Sequence, residues 1–328
     1  MKTRRHLLIA IGAGALAAPL ASFAQQQPAK TARIGFLGSE SASRYASNVN
    51  ALRAGLRDLG YVEGKNIVME FRWADGKNDR LPDLALELVR LKVDVLVTHG
   101  TPGTLAAKRA TTTIPIVMAT SGDAVAVGLV ATLPRPGGNI TGLTLLVPEL
   151  SAKRLELLKE GLPRITRLAV LFNPSNPAFA TDIKKTEILA KSMKVELQQF
   201  GVRAPNEFDG AYAAMAKARV DAVMIHQDGM LNANPGATAD LARKHRLPSI
   251  GFKEFAEAGG LIGYGVDFLE MYRRAAVFVD KLLKGAKPAD LPIEQPTKFE
   301  LLINMKTAKA LGLEIPRSLL LRADRIIE

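Results

Sequence analysis

The order of secondary-structure signals in this chain repeats, and that repetition constrains the fold more than any single motif. Arg33-Ile34-Gly35-Phe36-Leu37 is matched 134 positions later by Arg167-Leu168-Ala169-Val170-Leu171. The run VDVLVTH at residues 93–99 is matched 127 positions later by VDAVMIH at 220–226. IPIV at 114–117 is matched 133 positions later by LPSI at 247–250. Each run is a short apolar segment of the kind that forms a strand buried on both faces. Three matched pairs in one order, at nearly one offset, predict two similar lobes with a ligand cleft between them.

The segments between these runs carry helical spacing. Val49, Leu52, Leu56 and Leu59 recur at three- and four-residue intervals, and Gly60 follows as a helix-closing residue. Residues 66–73 alternate as a strand, with Ile67, Met69 and Phe71 on one side, and residues 81–91 and 104–110 read as helices. Alternating strands and helices predict an α/β fold whose parallel sheets are covered on both faces. Residues 114–142 give the cleft its place. An apolar strand ends at Thr120-Ser121-Gly122-Asp123, a helical pattern follows, Pro134-Arg135-Pro136-Gly137-Gly138-Asn139 makes a turn, and a second short run leaves in a new direction. Ligand crevices of open α/β sheets lie at the carboxyl ends of the strands.

Toward the C-terminus, Asp267 is placed to cap a helix whose apolar positions include Phe268, Met271, Tyr272, Ala275, Ala276, Val279 and Leu282, closed by Gly285. Pro288 and Pro292 mark a linker, residues 298–304 a strand, and residues 305–311 a last short helix ended by Gly312. The expected division is residues 33–143 with about 266–290 in the first lobe, and about 144–265 with 291–328 in the second. A chain that passes between lobes several times makes a hinge of several strands.

The first residues read as an address. Thr3-Arg4-Arg5, an apolar run from Leu7 to about Ala18, and Ser22-Phe23-Ala24 match the parts of a cleaved signal peptide, residues 1–24. Arg4-Arg5 leaves both the Sec and the twin-arginine route open. Removing Lys2, Arg4 and Arg5 lowers the formal charge from +12 to +9, and the basic residues are scattered through helices. With aromatics at 5%, no basic cluster interleaved with rings points to nucleic acid. The absence of cysteine excludes disulfides, a lipidated cysteine and a thiol nucleophile. Neither H-E-x-x-H nor G-x-S-x-G occurs, so no enzyme motif is present.

Longer stretches resemble a known family. These are residues 55–95, TIPIVMATSGDAVAVGLVATLPRPGGNITGLT at 113–144, SAKRLELLKEGLP at 151–163, EAGGLIGYG at 257–265, residues 272–313 and RADRIIE at 322–328. They are similar to the ABC-transporter substrate-binding proteins related to tryptophan-binding periplasmic proteins. The resemblance implies a type 1 periplasmic binding fold, two Rossmann-like lobes joined by three crossovers, and no chemistry. It also implies a small-molecule ligand, an ABC permease partner in the inner membrane, a periplasmic location and a monomer without cofactor or metal. A sensory module of the same fold is the alternative.

Strand-end loops supply the candidate ligand contacts. In the first lobe these are Ser39, Glu40, Thr98, His99, Thr101, Ser121 and Asp123. In the second they are Asn173, His226 and Asp228, with Tyr264 and Asp267 at the tail of the glycine-rich segment. The hydroxyls of Ser39, Thr101 and Ser121, each expected before a helix, suit a carboxylate. Asp123 suits an ammonium group, and Tyr264 offers a flat face to an aromatic or apolar side chain. His99 and His226 stand at matched strand ends, as ligand contacts or, with Asp123 or Asp228, as metal ligands. Together with the resemblance, this pattern describes an aromatic or large apolar amino acid, with an aromatic acid lacking the amine as runner-up.

The address reading is checked by mass spectrometry of the exported protein. Its N-terminus is expected near Gln25, and a cytoplasmic product that keeps Met1 would refute the reading.

Overall fold

The computed structural model describes residues 31–328, so the signal peptide expected at 1–24 lies outside the described residues. The chain runs β1 (Ala32–Gly38), α1 (Ala46–Asp58), β2 (Ile67–Trp73), α2 (Leu81–Arg90), β3 (Val95–His99), α3 (Gly100–Ala110), β4 (Ile116–Thr120) and β5 (Ile140–Gly142). It then builds α4 (Val147–Gly161), β6 (Arg167–Phe172), α5 (Phe179–Ser192), β7 (Glu196–Gly201), α6 (Phe208–Lys217), β8 (Ala222–Ile225), α7 (Gly229–Asn232), α8 (Pro235–Lys244), β9 (Ser249–Gly251), α9 (Lys253–Glu257) and β10 (Ile262–Gly265). Last come α10 (Phe268–Leu283), β11 (Glu300–Asn304), α11 (Met305–Leu311), α12 (Arg317–Leu320) and β12 (Arg325–Ile327).

The strands form two sheets, ordered β2-β1-β3-β4-β5 and β12-β11-β10-β9-β8-β6-β7. Within the second sheet, β7-β6-β8-β9-β10 repeats the winding of the first. The matched sequence runs therefore occupy equivalent strands: β1 with β6, β3 with β8, β4 with β9. Each sheet reverses its winding beside its first strand, and the loops there define a crevice. Among the described residues, all strand pairings are parallel except β10 with β11, where Ile262 pairs with Ile303 in antiparallel register. That exception to the expected parallel sheets arises because β11 enters from the opposite end, on the chain's last return from the first lobe.

Alternation along the strands sorts side chains onto two faces. Ile34, Phe36, Val95, Val97 and Val117 pack with Val49, Leu52 and Leu56 of α1 and with Met271, Tyr272, Ala275 and Val279 of α10. Leu37, Leu96, Ile116 and Met118 face Leu81, Leu84 and Leu88 of α2 and Ala106 and Ala107 of α3. The second lobe repeats this two-sided burial, with Leu155 and Leu158 of α4 and Ile183 of α5 on one face, and Phe208, Tyr212 and Met215 of α6 on the other.

The chain crosses between lobes after β5, after β10 and before β11. The first and third crossings are tied together. Glu294 N donates to Gly142 O at 2.9 Å, and Thr144 N donates to Glu294 O at 3.0 Å. Arg274 of α10 grips the Glu294 carboxylate with two bonds, of 2.8 and 2.7 Å.

The helical pattern expected after Asp123 does not form. The backbone N–H groups of Leu129 and Val130 both donate to Ala124 O, and Gly128 at φ 70° reverses the chain. Ala124, Leu129 and Val130 are buried against the α2–α3 side of the sheet, so a compact loop replaces the helix. Ser121 consequently precedes no helix.

Gly142 carries φ 118°, and a Cβ there would overlap the Met118 carbonyl oxygen and lie 2.6 Å from the Met118 nitrogen. Gly142→Ala is expected to lower unfolding stability by roughly 3 kcal/mol, from positive-φ strain and overlap with backbone that cannot yield. Urea unfolding measures this, and an unchanged midpoint would show that the crossing strand can shift.

Candidate functional site

The wall contributed by the first lobe rests on an aromatic cluster. Gly38 ends β1 without a side chain because a Cβ would overlap the Trp73 ring. Tyr45 stacks on Trp73 with ring centres 6.0 Å apart and meets the His99 ring at 4.5 Å. The Tyr45 hydroxyl bonds Ser39 Oγ at 3.2 Å, and His99 Nδ1 bonds the Tyr272 hydroxyl at 2.5 Å. Burial pushes the His99 ring down to about 3, so it is neutral at physiological pH. Thr98 turns inward onto Thr104 Oγ1 at 2.8 Å. Thr101, in the first turn of α3, accepts from Gly122 N at 3.1 Å and lies 3.3 Å from Ser121 Oγ. Glu40 is buried, and desolvation, reinforced by Asp228 and Asp75 against the opposing pull of Arg44, pushes its carboxyl up to about 7.

The second lobe supplies the opposite wall. Asp228 caps α7, accepting from Met230 N at 2.9 Å and Leu231 N at 3.3 Å. Asn173 and Asn176 donate to its two oxygens at 3.3 and 3.0 Å, so this carboxylate is fully engaged. Asp182 is not. It lies in the first turn of α5, 2% exposed, and its Oδ2 has no hydrogen-bond partner. His226 Nε2 is 3.5 Å away, at ion-pair distance but without a hydrogen bond, and its position favours the carboxylate. Desolvation outweighs that effect and holds the Asp182 carboxyl above its ordinary value. Gln227 accepts through Oε1 from Arg154 Nη2 at 2.8 Å, and its Nε2 has no partner. Arg154 is fully buried, and burial lowers it to about 10, which leaves it cationic at neutral pH.

The two walls meet. Gly229 packs so closely that a Cβ would sit 3.1 Å from Ser39 Oγ and 3.2 Å from the Tyr45 hydroxyl. Arg44 Nη1 of the first lobe donates to Ala233 O of the second at 2.8 Å. Between the walls lies a cavity of about 30 Å³ whose lining includes Thr101, Ser121, Asn176, Asp182, Gln227 and Asp228. A neighbouring space of about 20 Å³ adds Ser39, Glu40 and Asn173 and shares Asp228 and Asn176. His99, Asn232 and Phe268 line both the first cavity and an outer groove of about 500 Å³.

The structure thus brings Ser39, Glu40, His99, Thr101, Ser121, Asn173 and Asp228 to these spaces, as their strand-end positions suggest. His226 stands behind Asp182, edge-on to Phe179 with ring centres 4.9 Å apart. Asp123 and Tyr264 are not among the cavity-lining residues. The Asp123 carboxylate closes its own turn, accepting from Val125 N at 3.2 Å and Ala126 N at 3.0 Å. Tyr264 stacks on Phe299, ring centres 6.0 Å apart. Asp267 caps α10 through Glu270 N at 3.1 Å, pairs with Lys253 Nζ at 2.7 Å and lines the outer groove. Among the described residues, no group of three or more acidic or histidine side chains is arranged to hold a metal ion. Sequence reasoning missed Asn176, Asp182, Gln227, Asn232 and the supporting Arg154. For Asp182 a signal existed, because it shares the buried helix face of Phe179, Ile183 and Thr186.

Known proteins share this architecture. A solved structure from Streptococcus pneumonia, described as an ABC domain in complex with L-Trp, is 26% identical and superposes with a TM-score of 0.83 over 91% of this chain and 100% of that one. A conserved domain protein from Vibrio cholerae is 28% identical, with a TM-score of 0.85 over 90% of this chain and 100% of that one. A tyrosine-binding protein of Clostridioides difficile is 28% identical across 79% of this chain and 74% of its own length. Residues 40–327 match the model of the family described as ABC transporter substrate binding protein. The chain belongs to that family of ABC-transporter substrate-binding proteins, with the two-lobed type 1 periplasmic binding fold.

Proposed function

We propose that this protein captures an aromatic or large apolar L-amino acid in the cleft and delivers it, as a periplasmic monomer, to an ABC permease in the inner membrane. The observation that carries the reading is the buried Oδ2 of Asp182, which lines the cavity and accepts no hydrogen bond. A buried carboxylate with an unpartnered atom costs about 1–3 kcal/mol or more, and a ligand ammonium bonded to it removes that cost. Asp182 therefore takes the role that strand-end position alone gave to Asp123, which closes its own turn through Oδ1 and lines neither small cavity. Across the cavity, the Thr101 and Ser121 hydroxyls face the same space at the start of the eleven-residue α3, a setting that favours a carboxylate. The ligand's side chain extends past His99 and Phe268 into the outer groove. Relatives described as tyrosine-binding and as an L-Trp complex support an aromatic side chain.

Isothermal titration with L-tryptophan and L-tyrosine tests this reading. Asp182→Asn is expected to weaken binding of the better ligand about tenfold or more, the loss of one charge-assisted bond. The same variant should hold the matching acid without the amine, indole-3-propionate or its phenolic counterpart, no more weakly than the parent does. An Asp182→Asn protein that binds the amino acid as tightly as the parent would refute the ammonium assignment.

The three crossings form the proposed hinge, with closure of the lobes around ligand as the transport-competent state. Small-angle scattering should give a smaller radius of gyration at saturating ligand. An unchanged radius would refute the hinge while leaving binding intact.

A further inference from the structure

We infer that Arg154 is a positioning residue that fixes the Gln227 amide so that its NH₂ group binds the ligand carboxylate from the second lobe. This deepens the amino-acid reading above and rests on it. A guanidinium has donors and no acceptor, so the Gln227 amide must turn its oxygen toward Arg154. The bond from Nη2 to Oε1 is 2.8 Å long and lies between buried groups. Arg154 cannot swing aside, because Nε also donates to the Tyr264 carbonyl at 2.9 Å. A Cβ at Gly265 would come within 3.3 Å of Nη2, so the glycine at the end of β10 also leaves room for the guanidinium. The orientation leaves Gln227 Nε2 as a buried donor without a protein acceptor, on a residue that lines the cavity.

Such a donor selects for an acceptor on the ligand. Thr101 and Ser121 offer hydroxyls from the first lobe, whereas Gln227 offers its NH₂ from the second. A carboxylate between them accepts from both lobes at once, so one ligand group holds the two walls together. Asp182, on the Gln227 side, takes the ammonium in the same arrangement. Arg154 acts one step back, on α4, the helix that begins directly after the first crossing.

Gln227→Glu separates this role from a structural one. Its carboxylate pairs with Arg154, so the thermal midpoint should stay level or rise, while the donor to the ligand is gone. Affinity for the better bound of L-tryptophan and L-tyrosine is expected to fall about tenfold or more in Gln227→Glu and in Gln227→Met. The parent's preference for that amino acid over the amine lacking its carboxylate, tryptamine or tyramine, should shrink about tenfold in Gln227→Met. Arg154→Met should weaken amino-acid binding in the parent but cost nothing further when Gln227 is already Met, the mark of action through that amide. Parent-like affinity in both Gln227 variants would overturn the inference and leave the amino-acid reading standing. A parent that binds neither amino acid would overturn both.

Discussion

The architecture depends on how closely α10 can lie against α1. Gly55 is buried on α1, and a Cβ there would come within 2.6 Å of the Arg273 carbonyl oxygen and 2.8 Å of Ala276 Cβ. Without a side chain at this point, the two helix backbones approach, and α10 buries Met271, Tyr272, Ala275 and Val279 on the first sheet. Tyr61, in the loop after α1, adds a bond to Asp280 at 2.9 Å. Because α10 follows ten strands in sequence, its place in the first lobe obliges the chain to return there and leave again. The crossings, and the cleft they span, follow from that packing.

The same helix reaches the site. Tyr272 belongs to the α10 face that packs on the sheet, and its hydroxyl holds His99 at the end of β3. At the N-terminus of α10, Asp267 pairs with Lys253 of the second lobe. One helix thus touches both the His99 side of the cavity and Lys253 of the second lobe. Helix packing, a contact between the lobes and the candidate site share one element.

The two walls of the cleft differ in kind. On the first lobe, Ser39, His99, Thr101 and Ser121 bond one another or neighbouring side chains above an aromatic cluster. On the second, Asp182, Gln227 and Asn232 keep buried polar atoms with no protein partner. Unpaired buried polar atoms are costly and rare in folded proteins, and several of them lie beside one small cavity. The first wall has one such atom, Thr120 Oγ1, and is otherwise paired within itself, whereas the second wall holds several.

The sequence by itself determined the alternation of strands and helices and the likeness of the two lobes, because strand burial and helical periodicity are written locally and the matched runs lie on equivalent strands. It also located the strand-end loops, so Ser39, Glu40, His99, Thr101, Ser121, Asn173 and Asp228 were legible as cleft residues. It misread the stretch between Asp123 and Pro134 as helical, since burial of Ala124, Leu129 and Val130 and the reversal at Gly128 outweigh local spacing. Only the tertiary structure decided which polar groups remain free. Asp123, at a strand end, closes its own turn through Oδ1 and lines neither small cavity, while Asp182, in the first turn of a helix, lines one with an Oδ2 that accepts no hydrogen bond. Gln227 presents its NH₂ because Arg154, 73 positions away in sequence, occupies its oxygen. A side chain's free hydrogen-bonding capacity is set by every neighbour that folding brings to it, and those neighbours are distant in sequence.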